Sequence, residues 1–276
     1  MGAVLALLAS VSWGMADFFG GKTSRVMPPF AVLAWSQVVG FLVLGVAVLA
    51  TGVWHANPGY WPWSLSGAVA GVAGMTLFYA AMSEGKMGIV SPIVSLSVLV
   101  PLAFGLLRGD VPSGVQVLGI IFAIGGIVLA SGPELTGSAS PKPVIYAIAS
   151  AAILGFMFIS MAEGSKYDPL MSTFGIRVGS LAIVIMAFLI FRTFGGISKS
   201  TAPALAATGV LDAGANLLFG FASTLGMLSV LSVLGSLYPI VTVIMAWVFL
   251  QERLRTVQYF GIAFAFLGVA LISAGM

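Results

Sequence analysis

Residues 114–131 read GVQVLGIIFAIGGIVLAS and residues 256–275 read TVQYFGIAFAFLGVALISAG. Each run is close to the roughly 20 apolar residues that a helix needs to cross a bilayer core of about 30 Å. At a shift of 142, Gln116 meets Gln258, Gly119 meets Gly261 and Gly126 meets Gly268. Asp110, just upstream, meets Glu252. Further towards the N-terminus the same comparison holds at a shift of 141. Gly14 meets Gly155, Pro28 meets Pro169, Phe78 meets Phe219, Ser91 meets Ser232, and Ser95-Leu96 meets Ser236-Leu237. Apolar coincidences are cheap. A nearly fixed offset that aligns polar, Pro and Gly positions across most of the chain indicates a long internal repeat.

Measuring the rest of the chain for membrane-spanning runs gives ten segments. They are Gly2–Gly21, Phe30–Thr51, Trp63–Ser83, Gly88–Leu107, Gly114–Ser131, Pro143–Ala162, Leu170–Phe191, Pro203–Ser223, Leu228–Leu250 and Thr256–Gly275. The loop between the eighth and ninth is the least marked, with little beyond Leu225, Gly226 and Met227. The expected fold is an all-α polytopic membrane protein of ten transmembrane helices. It divides at 1–137 and 138–276 into two five-helix repeats. Five is odd, so the second repeat enters the membrane inverted relative to the first. Inverted repeats with a substrate site at their interface recur among secondary transporters.

Composition points the same way. Apolar residues make up 60% of the 276, and charged residues only 7%. A soluble domain carries about a quarter charged residues, so lipid is the expected solvent for most of the surface. The net charge of +3 comes from scattered Lys and Arg with no basic block, which leaves nucleic-acid binding without a footprint. Cysteine is absent and His55 is the lone histidine. That excludes disulfides, thiolate chemistry and His-pair metal sites, and weakens a Ser-His hydrolase. No phosphate-binding Gly-Lys loop occurs, and no cofactor is expected. The N-terminus runs into apolar sequence with no charged region, so it reads as a first span and not as a cleaved leader.

Three stretches resemble the EamA-like family of the drug/metabolite transporter superfamily. They are LLASVSWGMADFFGGKTSR (7–25), GIVSPIVSLSVLVPLAFGLLRGD (88–110) and LGSLYPIVTVIMAWVFLQERLRTVQYFGIAFAFLGVALISAG (234–275). The last carries Pro239, Glu252-Arg253-Leu254, Gly261 and Gly268; in the first half Arg108-Gly-Asp110 replaces the Glu-Arg-Leu. The resemblance implies a ten-helix inverted fold with a central cavity, and small-metabolite transport with a bias to export. It names no substrate.

Ionisable residues inside a membrane are costly and mark candidate sites. Asp212 is the sharpest, about 14 Å deep in the eighth span at about 1.5 Å per residue. Asn216 lies one turn further on the same face. This pair suits a proton or a cationic substrate group, with Asn216 orienting it. Arg177 differs from Asp212 in height by about 6 Å, so a structural ion pair between them is the competing reading; Arg177 also suits a substrate carboxylate. Asp17 follows Trp13 by one helical turn, and an aromatic with a carboxylate suits an amine. The preferred reading of Asp17 is plainer: a helix-end carboxylate that reaches Lys22 or Arg25.

Weaker candidates for a cavity lining are Tyr79, Trp35, Gln37, Tyr238 and the repeat-related serines Ser91, Ser95, Ser232 and Ser236, for which close helix packing is preferred. Pro92 and Pro101 interrupt the fourth span and Pro239 the ninth, as hinges or as static kinks. The Gly119/Gly126 and Gly261/Gly268 stripes read as packing faces. Trp54, Tyr60, Trp61 and Trp63 read as an interfacial belt.

The expected location is the cell membrane. One face collects Lys22, Arg25, Lys86, Lys142, Arg192, Lys199, Arg253 and Arg255, and the other only Arg108 and Lys166. The positive-inside rule therefore puts both termini outside, whereas the resemblance implies that they are inside. Expected partners are the lipid bilayer, a small-molecule substrate and a coupling proton or ion; monomer and homodimer both stay open. A carrier is the leading function. The alternative is a membrane channel or assembly protein without carrier activity. A membrane enzyme lacks a convergent acid-base or metal cluster.

Overall fold

A computed structural model of the protein describes residues 1–55, 57–85, 87–130, 141–192, 196–251 and 255–275. The Glu252-Arg253-Leu254 motif lies outside the described residues. Those described form twelve α-helices and three short 3-10 turns, with no strand among them. The helices are α1 (Gly2–Thr23), α2 (Pro29–Thr51), α3 (Trp61–Glu84), α4 (Met87–Ser95), α5 (Leu99–Leu107), α6 (Gly114–Ala130), α7 (Lys142–Ser165), α8 (Pro169–Phe191), α9 (Ala202–Ser223), α10 (Leu228–Gly235), α11 (Tyr238–Leu250) and α12 (Thr256–Ala274).

Seven helical segments among the described residues are long and apolar enough to cross a membrane: Gly2–Thr23, Pro29–Thr51, Pro58–Glu84, Lys142–Ser165, Pro169–Ile190, Ala202–Ser223 and Leu228–Leu250. Ile93–Leu107, Gly114–Leu129 and Tyr259–Ile272 are shorter apolar helices.

The helix faces explain the composition. On α1 the buried stripe is Gly2, Ala6, Ala9, Ser10, Trp13, Gly14, Asp17, Gly20 and Gly21, while Val4, Leu8 and Val11 are exposed. On α2, Leu42, Val46 and Leu49 face outwards and Gln37, Gly40 and Leu44 inwards. The polar residues Ser10, Asp17 and Gln37 are thus turned inwards and hydrocarbon is turned outwards, which is the arrangement a lipid solvent favours.

Local signals set the helix starts. Asp168 caps α8 by accepting a hydrogen bond from Met171 N–H at 2.7 Å, and Pro169 occupies the first turn, where no backbone donor is needed. Gly52 ends α2 in the left-handed region at φ 67°, which glycine reaches without a Cβ penalty.

The two broken helices depart from the sequence expectation. Pro101 and Pro239 do not themselves interrupt a helix. The first break is the 3-10 turn Leu96–Val98 between α4 and α5, and Pro101 lies inside the first turn of α5. The second break is at Ser236 and Leu237, with Pro239 in the first turn of α11. A proline is tolerated at a helix start, where its missing N–H breaks no bond. Each therefore begins a new helix just after the break. Pro92 lies within α4, and its side chain is outside the described set.

The tightest helix pairs are α6 with α12, α3 with α7, and α1 with α9. Glycine lets α6 and α12 touch backbone to backbone. A Cβ built on Gly126 would lie 2.4 Å from Ala265 N, and one on Gly268 would lie 2.5 Å from Ala123 N. The packing reading of the glycine stripes fits this contact.

Candidate functional site

The helices surround a central cavity of ≈ 600 Å³, its mouth included. α1 supplies Trp13 and Asp17; α2 supplies Gln37; α8 supplies Ile176, Arg177 and Ser180; α9 supplies Asp212 and Asn216; α11 supplies Tyr238. The opposite wall is apolar: Gly71, Met75 and Phe78 of α3, Val94 of α4, and Leu154, Met157 and Phe158 of α7.

One polar network organises the site. Arg177 Nη2 donates to Asp212 Oδ2 at 2.6 Å, and Nη1 donates to Gln37 Oε1. The Arg177 side chain is 2% exposed and that of Asp212 is 18% exposed. The cavity therefore meets the acidic end of the pair. Arg177 Nε is buried without a partner. Gly40 makes room for the guanidinium, since a Cβ there would stand 3.3 Å from Nε.

A second hydrogen bond joins α1 to α9: Trp13 Nε1 donates to Asn216 Oδ1 at 3.0 Å. The Trp13 ring also packs against Phe158 and Phe219, with centroids 5.3 and 5.5 Å away. Asn216 is therefore oriented by Trp13, a link of 203 residues that no local pattern announces. Trp13→Phe keeps the ring contacts and strands the Asn216 oxygen. An unsatisfied buried acceptor costs about 1–3 kcal/mol, and the loss is expected in the unfolding midpoint of the detergent-solubilised chain.

Asp17 corrects the preferred sequence reading. It is buried and lines the cavity, and no ion pair with Lys22 or Arg25 forms among the described residues. α1 runs two residues past the expected Gly21 boundary, to Thr23, so Asp17 lies further inside the helix than a terminal carboxylate does.

Of the weaker candidates, Gln37 and Tyr238 line the cavity and the others do not. Tyr79 is buried against Gly20, where an added Cβ would come within 2.6 Å of its hydroxyl. Trp35 is half-buried against the cluster around Phe18 and Val32. Ser232 and Ser236 donate back to Ser229 O and Val233 O of their own segment. Ser91 and Ser95 are fully buried. All four serines are buried, and none of them lines this cavity.

Several lining residues carried no signal in the sequence. Met75, Met157 and Phe158 are apolar residues in apolar helices. Ser180 lies one turn from Arg177, and its hydroxyl is buried without a partner. Away from the cavity, Asp110 Oδ2 accepts a hydrogen bond from Ser229 N–H at 2.8 Å and so caps the start of α10 from the loop after α5.

A model of the EamA-like transporter family matches residues 1–132 and again 141–274. An uncharacterised protein of Methanocaldococcus jannaschii is 27% identical over 129 residues, which are 46% of this chain and 94% of that protein. A protein solved by crystallography superposes with a TM-score of 0.78 at 18% identity, over 99% of this chain and 96% of its own. At that identity the match speaks for the fold alone.

Proposed function

Because the chain belongs to the EamA-like transporter family and is a multi-pass membrane protein, we propose that it is a secondary carrier of a small polar or amphipathic metabolite, working in the cell membrane by alternating access with export as its direction. The observation that carries this reading is the cavity: Asp17, Arg177 and Asp212 converge on one space inside a bundle whose outside is largely hydrocarbon. Ionisable groups held at that depth mark solute or ion pathways.

The proposed architecture is ten spans in two inverted halves, 1–137 and 138–276. Two observations support it. The family model matches once on each side of residues 133–140. Helix pairing also follows the offset: α1 on α9 has its counterpart in α7 on α3, and α2 on α9 in α8 on α3, while α6 packs on its own counterpart α12. In such folds broken helices lie near the substrate site and rocking of one bundle exposes it alternately. We place the hinges at the breaks Leu96–Val98 and Ser236–Leu237, which the offset brings into near register, with Pro101 and Pro239 rigidifying the helix beyond each.

In this reading Asp212 takes a proton or the cationic group of a solute, and Asn216 orients it. With no nucleotide-binding motif in the sequence, the drive is an ion gradient, exchange, or the solute's own gradient. Counterflow tests the carrier. Proteoliposomes preloaded with unlabelled amino acids, amines and sugars in turn are expected to take up the matching labelled solute faster than empty ones for at least one class. Downhill flux with no acceleration by preloading means a channel. Asp212→Asn keeps the side-chain volume and removes the charge. It is expected to reach the membrane and lose pH-dependent uptake; undiminished, pH-dependent uptake removes Asp212 from the mechanism.

A further inference from the structure

Taking the carrier reading as its basis, we infer that the cavity selects an amphipathic organic monocation: an ammonium head held by Asp17 beside Asp212, and an apolar body laid on the α3–α7 wall.

The ionisable group that the cavity meets most openly is acidic. Three ionisable groups of opposite kinds line the cavity, but they do not meet it equally. The Arg177 side chain is 2% exposed, and its Nη atoms are committed to Asp212 and Gln37. Asp212 is the accessible member of its pair. Asp17 has neither a salt bridge nor a hydrogen bond among the described residues, and it lines the same space. Arg177 is committed to Asp212 and Gln37 and leaves Asp17 without a cation partner among the described residues. A solute with a single positive charge completes the site. An anion would face two carboxyl groups and, among the described residues, no free cation, and a zwitterion would need Arg177 pulled from a buried pair for its own carboxylate.

The two walls of the cavity also differ in chemistry. The 141-residue offset carries Asp17 onto Phe158, Asp212 onto Gly71 and Asn216 onto Met75. All six line the cavity. Every polar residue of these pairs belongs to α1 or α9, and every apolar one to α3 or α7. A cavity between two equivalent helix pairs has thus become polar on one side and apolar on the other. The apolar side offers an aromatic ring and a thioether, adaptable surfaces for a hydrocarbon or aromatic body. Trp13, one turn from Asp17 on α1, adds an indole beside the ammonium position, where a ring face attracts cations.

The test uses three probes that share a phenyl body and differ in charge: phenethylammonium, phenylalanine and 3-phenylpropionate. Each is titrated into the full-length chain in detergent by calorimetry, with the thermal unfolding midpoint as a second readout, since a ligand that binds the native state raises it. Phenethylammonium is expected to bind saturably and to raise the midpoint. The zwitterion and the anion are expected to bind at least about tenfold more weakly. Asp17→Asn is expected to weaken phenethylammonium about ten- to a hundredfold, the loss of one charge-assisted contact. Equal or tighter binding of phenylalanine or phenylpropionate overturns the proposal. So does binding of none of the three at millimolar concentration, or an unchanged affinity in Asp17→Asn. The probe series on the unaltered chain stands even if that variant does not fold. Counterflow of a non-cationic solute alongside such negatives removes the cation assignment and leaves the carrier. Cation binding without counterflow of any solute does the reverse.

Discussion

Asp212→Ala is expected to destabilise the protein by about 3–5 kcal/mol, the cost of stranding one partner of a buried ion pair. The stranded partner is Arg177, whose side chain is 2% exposed and whose Nε already lacks a hydrogen-bond acceptor. Without Asp212, Gln37 Oε1 is its one remaining acceptor among those the structure gives. The guanidinium does not lose its proton, so it cannot escape the penalty by neutralising. The converse change, Arg177→Met, is expected to cost less, because Asp212 is 18% exposed and can take up water. Removing both charges in Asp212→Leu/Arg177→Met is expected to recover most of the loss, as replacing a buried pair with apolar residues often does. Unfolding midpoints of the three variants in one detergent measure this. A loss below about 1 kcal/mol for Asp212→Ala would put the pair in the weak, solvated class.

Gly126→Leu is expected to have the second large effect, at or above the upper end of the about 1–3 kcal/mol typical of overpacking. Ordinary overpacking is relieved when a flexible side chain swings away. Here the atoms met by an added Cβ are backbone: Ala265 N at 2.4 Å, Gly261 O at 2.7 Å and Ala265 Cα at 2.8 Å. The only relief is separation of α6 from α12 along their contact. The neighbouring Gly125 is the control. A Cβ there meets nothing within 4 Å, so Gly125→Ala is expected to be neutral or to stabilise by up to about 1 kcal/mol through helix propensity. Equal effects at the two adjacent glycines would mean that α6 does not rest on α12 in this register.

Much of the helical layout was legible because lipid writes a simple rule. Length and hydropathy place the expected Pro143–Ala162 within α7 (Lys142–Ser165), and Pro203–Ser223 within a residue of α9 (Ala202–Ser223). The glycine stripes were legible because only packing asks for glycine every seven residues. The Arg177–Asp212 contact was legible from depth alone, since two charges at one height in a bilayer have strong reason to meet. Other features carry no such signal. Gln37 could be named as a lining candidate, but nothing near it in sequence announces its partner Arg177, 140 residues away. Met75, Met157 and Phe158 look like lipid-facing or core residues until the helices are assembled. Asp17 was misplaced because Lys22 and Arg25 are near in sequence, whereas α1 continues to Thr23 and turns the carboxylate inwards. Prolines marked the broken helices but not the breaks, because a proline that starts a helix and one that kinks it look alike in a sequence.

The central claim is that one cavity is reached from both faces of the membrane in turn. The chain has no cysteine, so a single Met75→Cys places one thiol on the half-buried apolar wall. In proteoliposomes of fixed orientation, a membrane-impermeant maleimide applied to either side is expected to label it, and a bound solute is expected to slow both reactions. Labelling from one side only, whatever solute is present, or labelling from neither, would contradict the account.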